Sequence, residues 1–243
     1  MSHSELPVVV VGRGIAGLAA ALSARQRGRD VLVLSWSSGA SSMMSGALDD
    51  LPSSQFTLED GPNSKDVEAF LAAFPLFCFE GPTRLLTAHG ITRSACGRDR
   101  SLLNVAGMKN LKIALPRVPR QYWDADLLAR SFNSDPWART NELSFHAVEL
   151  STLSAPALLN YPDSDLATEF DSDAFFSNFC ASMASLSSDF GAVLLGPWLG
   201  ISKPRRDELT GAMNRPVGEC TSLVGGTAGL RFEHHSSAVL AKH

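Results

Sequence analysis

Close to its start the chain reads Pro7-Val8-Val9-Val10-Val11-Gly12-Arg13-Gly14-Ile15-Ala16-Gly17-Leu18, then an Ala-rich stretch, Gly28 and Val31-Leu32-Val33-Leu34. An all-valine run before a glycine turn, an apolar helical face at Ile15, Leu18, Ala19 and Leu22, and a second aliphatic run predict strand, turn, helix and strand. Each glycine has its own duty in such a unit. Gly12 permits the tight turn, Gly14 lets backbone approach a phosphate, and Gly17 lets the helix pack on the strand. Amides around Ile15 and Ala16 then point out of the helix N-terminus, where unpaired donors and the macrodipole favour an anion. The segment predicts a site of main-chain donors for the pyrophosphate of a dinucleotide. The competing reading is a small-residue turn in some other α/β protein, and the flanking strands and helix favour the site. Arg13 either adds positive charge beside the phosphates or is an exposed turn residue.

Units of this kind commonly end their second strand in Asp or Glu, whose carboxylate accepts both ribose hydroxyls. This chain has Ser35 there. A hydroxyl accepts one such bond and does not chelate the diol, so altered ribose recognition is expected and no carboxylate selects NAD. No Arg pair follows at once to suit a 2′-phosphate, so NADP gains nothing either. Next comes Ser37-Ser-Gly-Ala-Ser-Ser-Met-Met-Ser-Gly-Ala-Leu-Asp49, a second small-residue loop. Its small side chains let backbone approach a cofactor, and its hydroxyls suit phosphate or ring atoms. Met43, Met44 and Leu48 favour a packed loop over a flexible Ser/Gly linker.

The glycine motif followed by Ser45-Gly46-Ala47-Leu48-Asp49 resembles the B-subunit family of anaerobic glycerol-3-phosphate dehydrogenase and its flavoprotein relatives. That family carries a Ser-Ser-Gly-x-Leu-Asp stretch at the same place and also lacks a reliable acidic residue after its second strand. The resemblance recurs in Pro197-Trp198-Leu199-Gly200-Ile201, Arg215-Pro216-Val217-Gly218-Glu219 and Gly229-Leu230-Arg231-Phe232, where family segments run Phe-Leu-Gly, Pro-Val-x-Glu and Gly-x-Arg-Leu. It implies an α/β fold, with a Rossmann-like FAD/NAD(P)-binding domain and a smaller mixed α+β substrate or cap region. Residues 1–60 would be the flavin-binding unit, 61–190 the substrate or cap-like region, and 191–243 a partial return toward the flavin domain.

The same resemblance implies FAD, with FMN as the alternative, held by Gly12, Arg13, Gly14, Ile15, Ala16, Gly17, Ser35, Ser45 and Gly46. It further implies oxidation of a small-molecule substrate at a CH–OH group and transfer of its electrons to a partner redox subunit. Family members continue beyond their Gly-x-Arg-Leu segment to a final strand and a glycine-rich turn. The stretch from His234 to His243 has no such turn, which leaves a truncated product or a portion supplied by another chain as the two expectations. Two other readings stay open: a non-catalytic accessory subunit that retains the nucleotide-binding scaffold, and a simple NAD(P)-binding protein.

Composition narrows the field. With 243 residues and 44% hydrophobic content the chain builds a sizeable core, as one large or two modest domains. A net charge of −4, with basic residues scattered apart from Arg205-Arg206, gives no field for nucleic acid. That Arg pair, beside Lys203 and Pro204, reads as a solvated helix start rather than an anion site. No apolar run approaches the roughly 20 residues of a membrane span, and Gly191 to Ile201 is broken by Pro197. The N-terminal apolar run lacks a basic region before it and leads directly into the glycine turn, so no secretory signal is expected. The expectation is a cytoplasmic protein that meets a membrane only through partners. Cys78, Cys96, Cys180 and Cys220 are too far apart for a metal or redox pair, and His234-His235 lacks a nearby third ligand.

Beyond Asp49 the reading is coarser. Leu51 to Lys65 is punctuated by Pro52, Gly61, Pro62 and Asn63 and is the best boundary loop. Ser64 can cap a helix carrying Val67, Phe70, Leu71 and Phe74. Arg84 to Ala88, Leu102 to Val105 and Leu111 to Leu115 suggest a small sheet, and Phe170 to Leu186 a helix with Phe175, Phe176, Phe179 and Met183 inward. Gly225-Gly226 reads as a loop. No catalytic residue follows from these patterns; His89 and His146 are default candidates for a base, and a structural role is the simpler one for each.

Overall fold

The computed structural model describes residues 6–36, 39–49, 64–79, 81–120, 122–150, 162–186 and 188–242. The valine run is β1 (Val8–Val11), the Ala-rich stretch is α1 (Ile15–Gln26), and the second aliphatic run is β2 (Val31–Leu34). The two strands pair in parallel, Val8 opposite Val31 and Val11 opposite Leu34. Strand alternation sends Val10 inward, toward the face where Leu18, Ala21 and Leu22 of α1 are buried. Val9, Val11, Leu32 and Leu34 take the opposite face and are exposed.

A 3₁₀ turn at Gly39–Met43 and the short β3 (Ala47–Leu48) follow, then α2 (Ser64–Ala73), β4 (Phe77–Cys78), β5 (Thr83–Leu86), β6 (Thr92–Ala95) and β7 (Gly97–Asp99). Strands β3, β7 and β4 form an antiparallel sheet in that order, and β5 and β6 form a separate hairpin. Phe74 joins Leu18, Leu22, Leu76, Phe77 and Phe232 in one apolar core, with its ring 5.4 Å from that of Phe77 and 5.5 Å from that of Phe232. That core fastens α1 to the end of α2 and to the helix that closes the chain.

The larger core surrounds a doubly wound parallel sheet. Its elements are β8 (Leu111–Arg117), α3 (Ala125–Ser134), α4 (Pro136–Thr140), β9 (Leu143–Glu149), α5 (Asp163–Phe170), α6 (Asp173–Met183), β10 (Ala192–Leu195), α7 (Arg206–Met213) and β11 (Val217–Glu219). The order is β11-β10-β8-β9, so the chain leaves β8 to one side and later returns to build the other. Every residue of β10 is buried. The apolar stretch from Gly191 to Ile201 is thus an interior parallel strand and its loop, the ordinary origin of a short continuous apolar run. α8 (Thr227–Lys242) completes the chain.

Several expectations change in the structure. Leu102 to Val105 makes isolated bridges, Leu102 to Glu219 and Asn104 to Leu85, instead of a strand. Leu111 to Leu115 belongs to the parallel sheet and not to a small one, because its hydrogen-bonding partners β9 and β10 lie far along the sequence. The helix expected over Phe170 to Leu186 is α6, with Phe176, Phe179 and Met183 buried, but it begins later, because Ser172 caps it by accepting from the Phe175 N–H and Phe170 is the last residue of α5. His234 to Lys242 lies within α8, whose Phe232 and Ser236 are buried, so this stretch is a docked helix. β10 and β11, in the expected return segment, share one sheet with β8 and β9 of the cap-like region. The loop expected over Leu51 to Lys65 lies outside the described residues as far as residue 63.

Candidate functional site

The glycine turn has the geometry its sequence requires. Gly12 has φ +98°, a left-handed value, and a Cβ at Gly17 would stand 2.0 Å from the Gly12 carbonyl oxygen. Helix α1 thereby sits directly against the turn, with Gly14 as its N-cap residue in an extended conformation and without a side-chain cap of its own. No acidic side chain occupies the first turn of α1. Main-chain amides and the positive end of the helix dipole therefore govern this corner, an arrangement that suits a diphosphate.

One neighbour supplies what Gly14 lacks. The Ser41 hydroxyl, on the 3₁₀ turn, accepts a hydrogen bond from the Ile15 N–H at 3.0 Å. The turn is held from behind by α8: a Cβ at Gly229 would lie 1.7 Å from the Ser42 carbonyl oxygen, so only glycine permits this approach. Sequence pattern points to Ser45 and Gly46 and does not single out Ser41; the hydroxyls of the loop were the available signal. Residues 37 and 38 of that loop lie outside the described residues.

Ser45 and Gly46 are placed deeper. The Ser45 carbonyl accepts from the Ser222 N–H at 3.0 Å and the Gly46 carbonyl from the Asp99 N–H at 2.7 Å, and Gly46 is buried. Both anchor the loop through main chain. Arg13 and Ser35 come together at a groove of about 540 Å³ beside β2, lined also by Val31, Val33, Trp36 and Leu240. The Arg13 guanidinium reaches the Ser237 hydroxyl of α8 at 3.4 Å. Gly12, Arg13, Gly14, Ile15, Ala16, Gly17 and Ser35 thus form one corner, with Ser45 and Gly46 one layer behind it.

Behind the loop lies a fully buried ion cluster. Arg231 of α8 donates to both carboxylate oxygens of Glu219, at 2.6 and 2.7 Å, and to the Gly200 carbonyl at 2.6 Å, with Asp99 at 3.4 Å. Glu219 also accepts from the Leu199 N–H, and Asp99 from the Ser101 N–H at 2.8 Å. Burial pushes the Glu219 carboxyl up to about 7, against the opposing pull of Arg231. Two carboxyl groups facing one guanidinium make the Glu219 proton easy to retain. The cluster ties together β7, β11, α8 and the loop after β10.

Doubly wound sheets commonly bind ligands at the carboxyl ends of the strands where the order reverses, here β8 and β10, and a cavity of about 410 Å³ lies beside that end of β8, lined by Arg117, Arg120, Trp123 and Glu149 among others. Trp123 and Trp198 meet edge to face at 5.2 Å, and Arg120 lies 5.9 Å from the Trp198 ring. Asp163 accepts from Arg120 at 2.7 Å and from the Trp198 indole N–H at 3.0 Å. Arg205, expected on a solvated helix start, is buried and donates to Asp173, Glu208 and the Phe170 carbonyl. It is structural because Asp171 and Asp173 organise the loop that precedes α7. His89 and His146 are both exposed, His146 within 3.1 Å of the Ser144 hydroxyl, and neither lines the groove at Ser35.

Among the described residues no group of His, Cys, Asp and Glu is arranged to hold a metal ion, and no helix is long and apolar enough to cross a membrane. The four cysteines are free thiols. No curated protein and no solved structure matches the chain. A family model does: the FAD binding domain matches residues 7–78, which span the glycine turn, α1, β2, the Ser/Gly loop, α2 and β4. The N-terminal unit is therefore an FAD-binding domain on a Rossmann-like α/β fold, and FAD is the flavin it indicates.

Proposed function

We propose that this protein is a flavin-dependent dehydrogenase subunit similar to the B-subunit family of anaerobic glycerol-3-phosphate dehydrogenase. It would oxidise a small substrate at a CH–OH group and pass the electrons to a partner redox subunit. The FAD-binding domain gives the coarser part, a flavin-dependent oxidoreductase. One observation carries the finer part. The separated segments that resemble that family converge on a single buried cluster: Glu219 of Pro-Val-Gly-Glu, Arg231 of Gly-Leu-Arg-Phe, and Leu199 and Gly200 of Pro-Trp-Leu-Gly. Gly46 of Ser-Gly-Ala-Leu-Asp is bonded to Asp99 of the same cluster. Segments scattered over the chain would then be retained together because they brace one loop against the cofactor corner.

Bound FAD supplies the electron acceptor for the substrate hydride. The protein's share is to hold it. Gly12 makes the turn, Gly14, Ile15, Ala16 and Gly17 present main-chain donors, Arg13 adds charge, Ser35 and Ser41 add hydroxyls, and Ser45 and Gly46 anchor the loop that carries Ser41. The test is to purify the chain alone and with candidate partner subunits, record the visible spectrum, and add glycerol-3-phosphate without oxygen. A yellow protein that bleaches supports the reading. A yellow protein that stays oxidised with this substrate, alone and with partners, rejects the glycerol-3-phosphate assignment, and a colourless protein that takes up no added FAD rejects the flavin site itself.

A further inference from the structure

At the end of β2 the chain carries a hydroxyl where a carboxylate would normally grip the ribose, and the next residue is a tryptophan whose surface is wholly exposed, at 103%. Trp36 is not simply projecting from the molecule. It lines the same groove as Arg13, Ser35 and Leu240, at the edge of the glycine turn. A lone exposed aliphatic side chain is ordinary; an indole left with both faces in water beside a cofactor groove is a stacking surface awaiting a planar group.

We propose that Trp36 binds the adenine of the dinucleotide by stacking, and that this contact takes over from the missing carboxylate as the main determinant of adenosine recognition. The inference rests on the FAD reading of this corner. Three observations fix the ligand chemistry. The donors at the start of α1 place a diphosphate, Arg13 supplies a cation between diphosphate and groove, and Trp36 supplies a π-face in the groove. Ser35 offers a single hydroxyl and so contributes little discrimination at the ribose diol. A base on an aromatic face is recognised through its plane and not through the sugar. Binding is then sensitive to the presence of a purine and tolerant of change at the ribose 2′ position.

The experiment uses the full chain freed of flavin, with ADP and 2′-deoxy-ADP as probes, calorimetry for affinity and tryptophan emission for contact. ADP is expected to quench the Trp36 contribution, identified by its loss in Trp36→Phe. 2′-Deoxy-ADP should bind within roughly threefold of ADP. Trp36→Ala should weaken ADP by roughly tenfold or more, and Trp36→Phe should restore most of it. Far-UV circular dichroism checks that the variants fold, which an exposed position favours.

Unchanged ADP affinity in Trp36→Ala, or a tenfold loss on removing the 2′-hydroxyl, overturns the proposal while leaving the flavin site standing. Failure of the wild-type chain to bind either FAD or ADP overturns both. A glutamate at position 35 gives a second, independent reading. Ser35→Glu should raise the affinity for ADP more than for 2′-deoxy-ADP, and equal effects on the two would count against a ribose that is weakly held in the wild type.

Discussion

The described residues form two parallel sheets made of the same aliphatic residues, and they end in opposite circumstances. In the sheet of β8 to β11 every side chain of β10 is buried, with helices packed along the strands. In the pair β1 and β2, α1 covers one face, and Val9, Val11, Leu32 and Leu34 of the other are 48 to 83% exposed. Parallel sheets are normally covered on both faces. The first sheet is accordingly a framework buried on both faces, with Trp123, Trp198 and Arg120 packed together at its carboxyl end. The second is a platform whose carboxyl end carries the glycine turn, steadied through α8 by its neighbour. Under the proposed function, stability and cofactor binding are housed in different sheets, and the joint between them is the Arg231 cluster.

Breaking the joint should have the largest effect. Arg231→Met leaves Glu219 and Asp99 buried without their cation and is expected to cost about 3–5 kcal/mol, read by urea denaturation. The loss should be smaller in acid, because Glu219 then carries a proton. The wild type has a related pH dependence. The Glu219 carboxyl is raised from 4.5 to about 7 in the folded protein, so its contribution is complete below 4.5 and is lost as the pH rises through 7. Thermal midpoints should therefore fall between pH 5 and pH 9 by an increment that Glu219→Gln removes. A flat wild-type profile would show that Arg231 keeps the carboxylate ionised throughout.

The contrast between the sheets is tested directly by a matched pair. Leu194 is fully buried in β10 and Leu32 is 48% exposed in β2. Leu194→Ala should cost about 2–5 kcal/mol through lost burial and a cavity, whereas Leu32→Ala should stay within about 0.5 kcal/mol. Comparable losses would mean that the face of β1 and β2 is covered in solution. For the cofactor the order reverses. Gly17→Ala drives a methyl into the Gly12 carbonyl and should lower FAD affinity by roughly tenfold to a hundredfold, from about 1–3 kcal/mol of overpacking. Flavin content per chain and titration calorimetry measure it, and Leu194→Ala should leave the affinity of its folded fraction nearly unchanged.

The sequence was most legible where function is local. Gly12, Gly14 and Gly17 announce their turn because the conformation and the close packing are settled within a few residues. The parallel sheet was hidden for the converse reason. β8 and β10 pair across some 80 residues of sequence, and a four-residue strand such as Ala192–Leu195 has no periodicity to separate it from any apolar run. Arg205 misled because its partners Asp173 and Phe170 lie on other elements. The Arg231 cluster went unseen for the same reason: a buried charge looks like a surface charge until its partners are known.

Ser41 offers the finest test of how the loop and the helix share the diphosphate. Its hydroxyl accepts from the Ile15 N–H, one of the donors that a phosphate oxygen would use. Ser41→Ala removes a competitor for that donor and also a hydroxyl able to turn and donate to the anion. The bond given up is between neutral groups, worth about 0.5–1.5 kcal/mol, and the one gained is charge-assisted, worth about 1.5–3 kcal/mol. The balance favours the hydroxyl. Ser41→Ala should weaken FAD by roughly fivefold, an effect of about 1 kcal/mol, and Ser41→Thr should retain the wild-type value if the branched side chain fits. Tighter binding in Ser41→Ala would reverse the assignment, making the hydroxyl a plug that the cofactor must displace, and the 3₁₀ turn would then oppose binding while α1 promotes it.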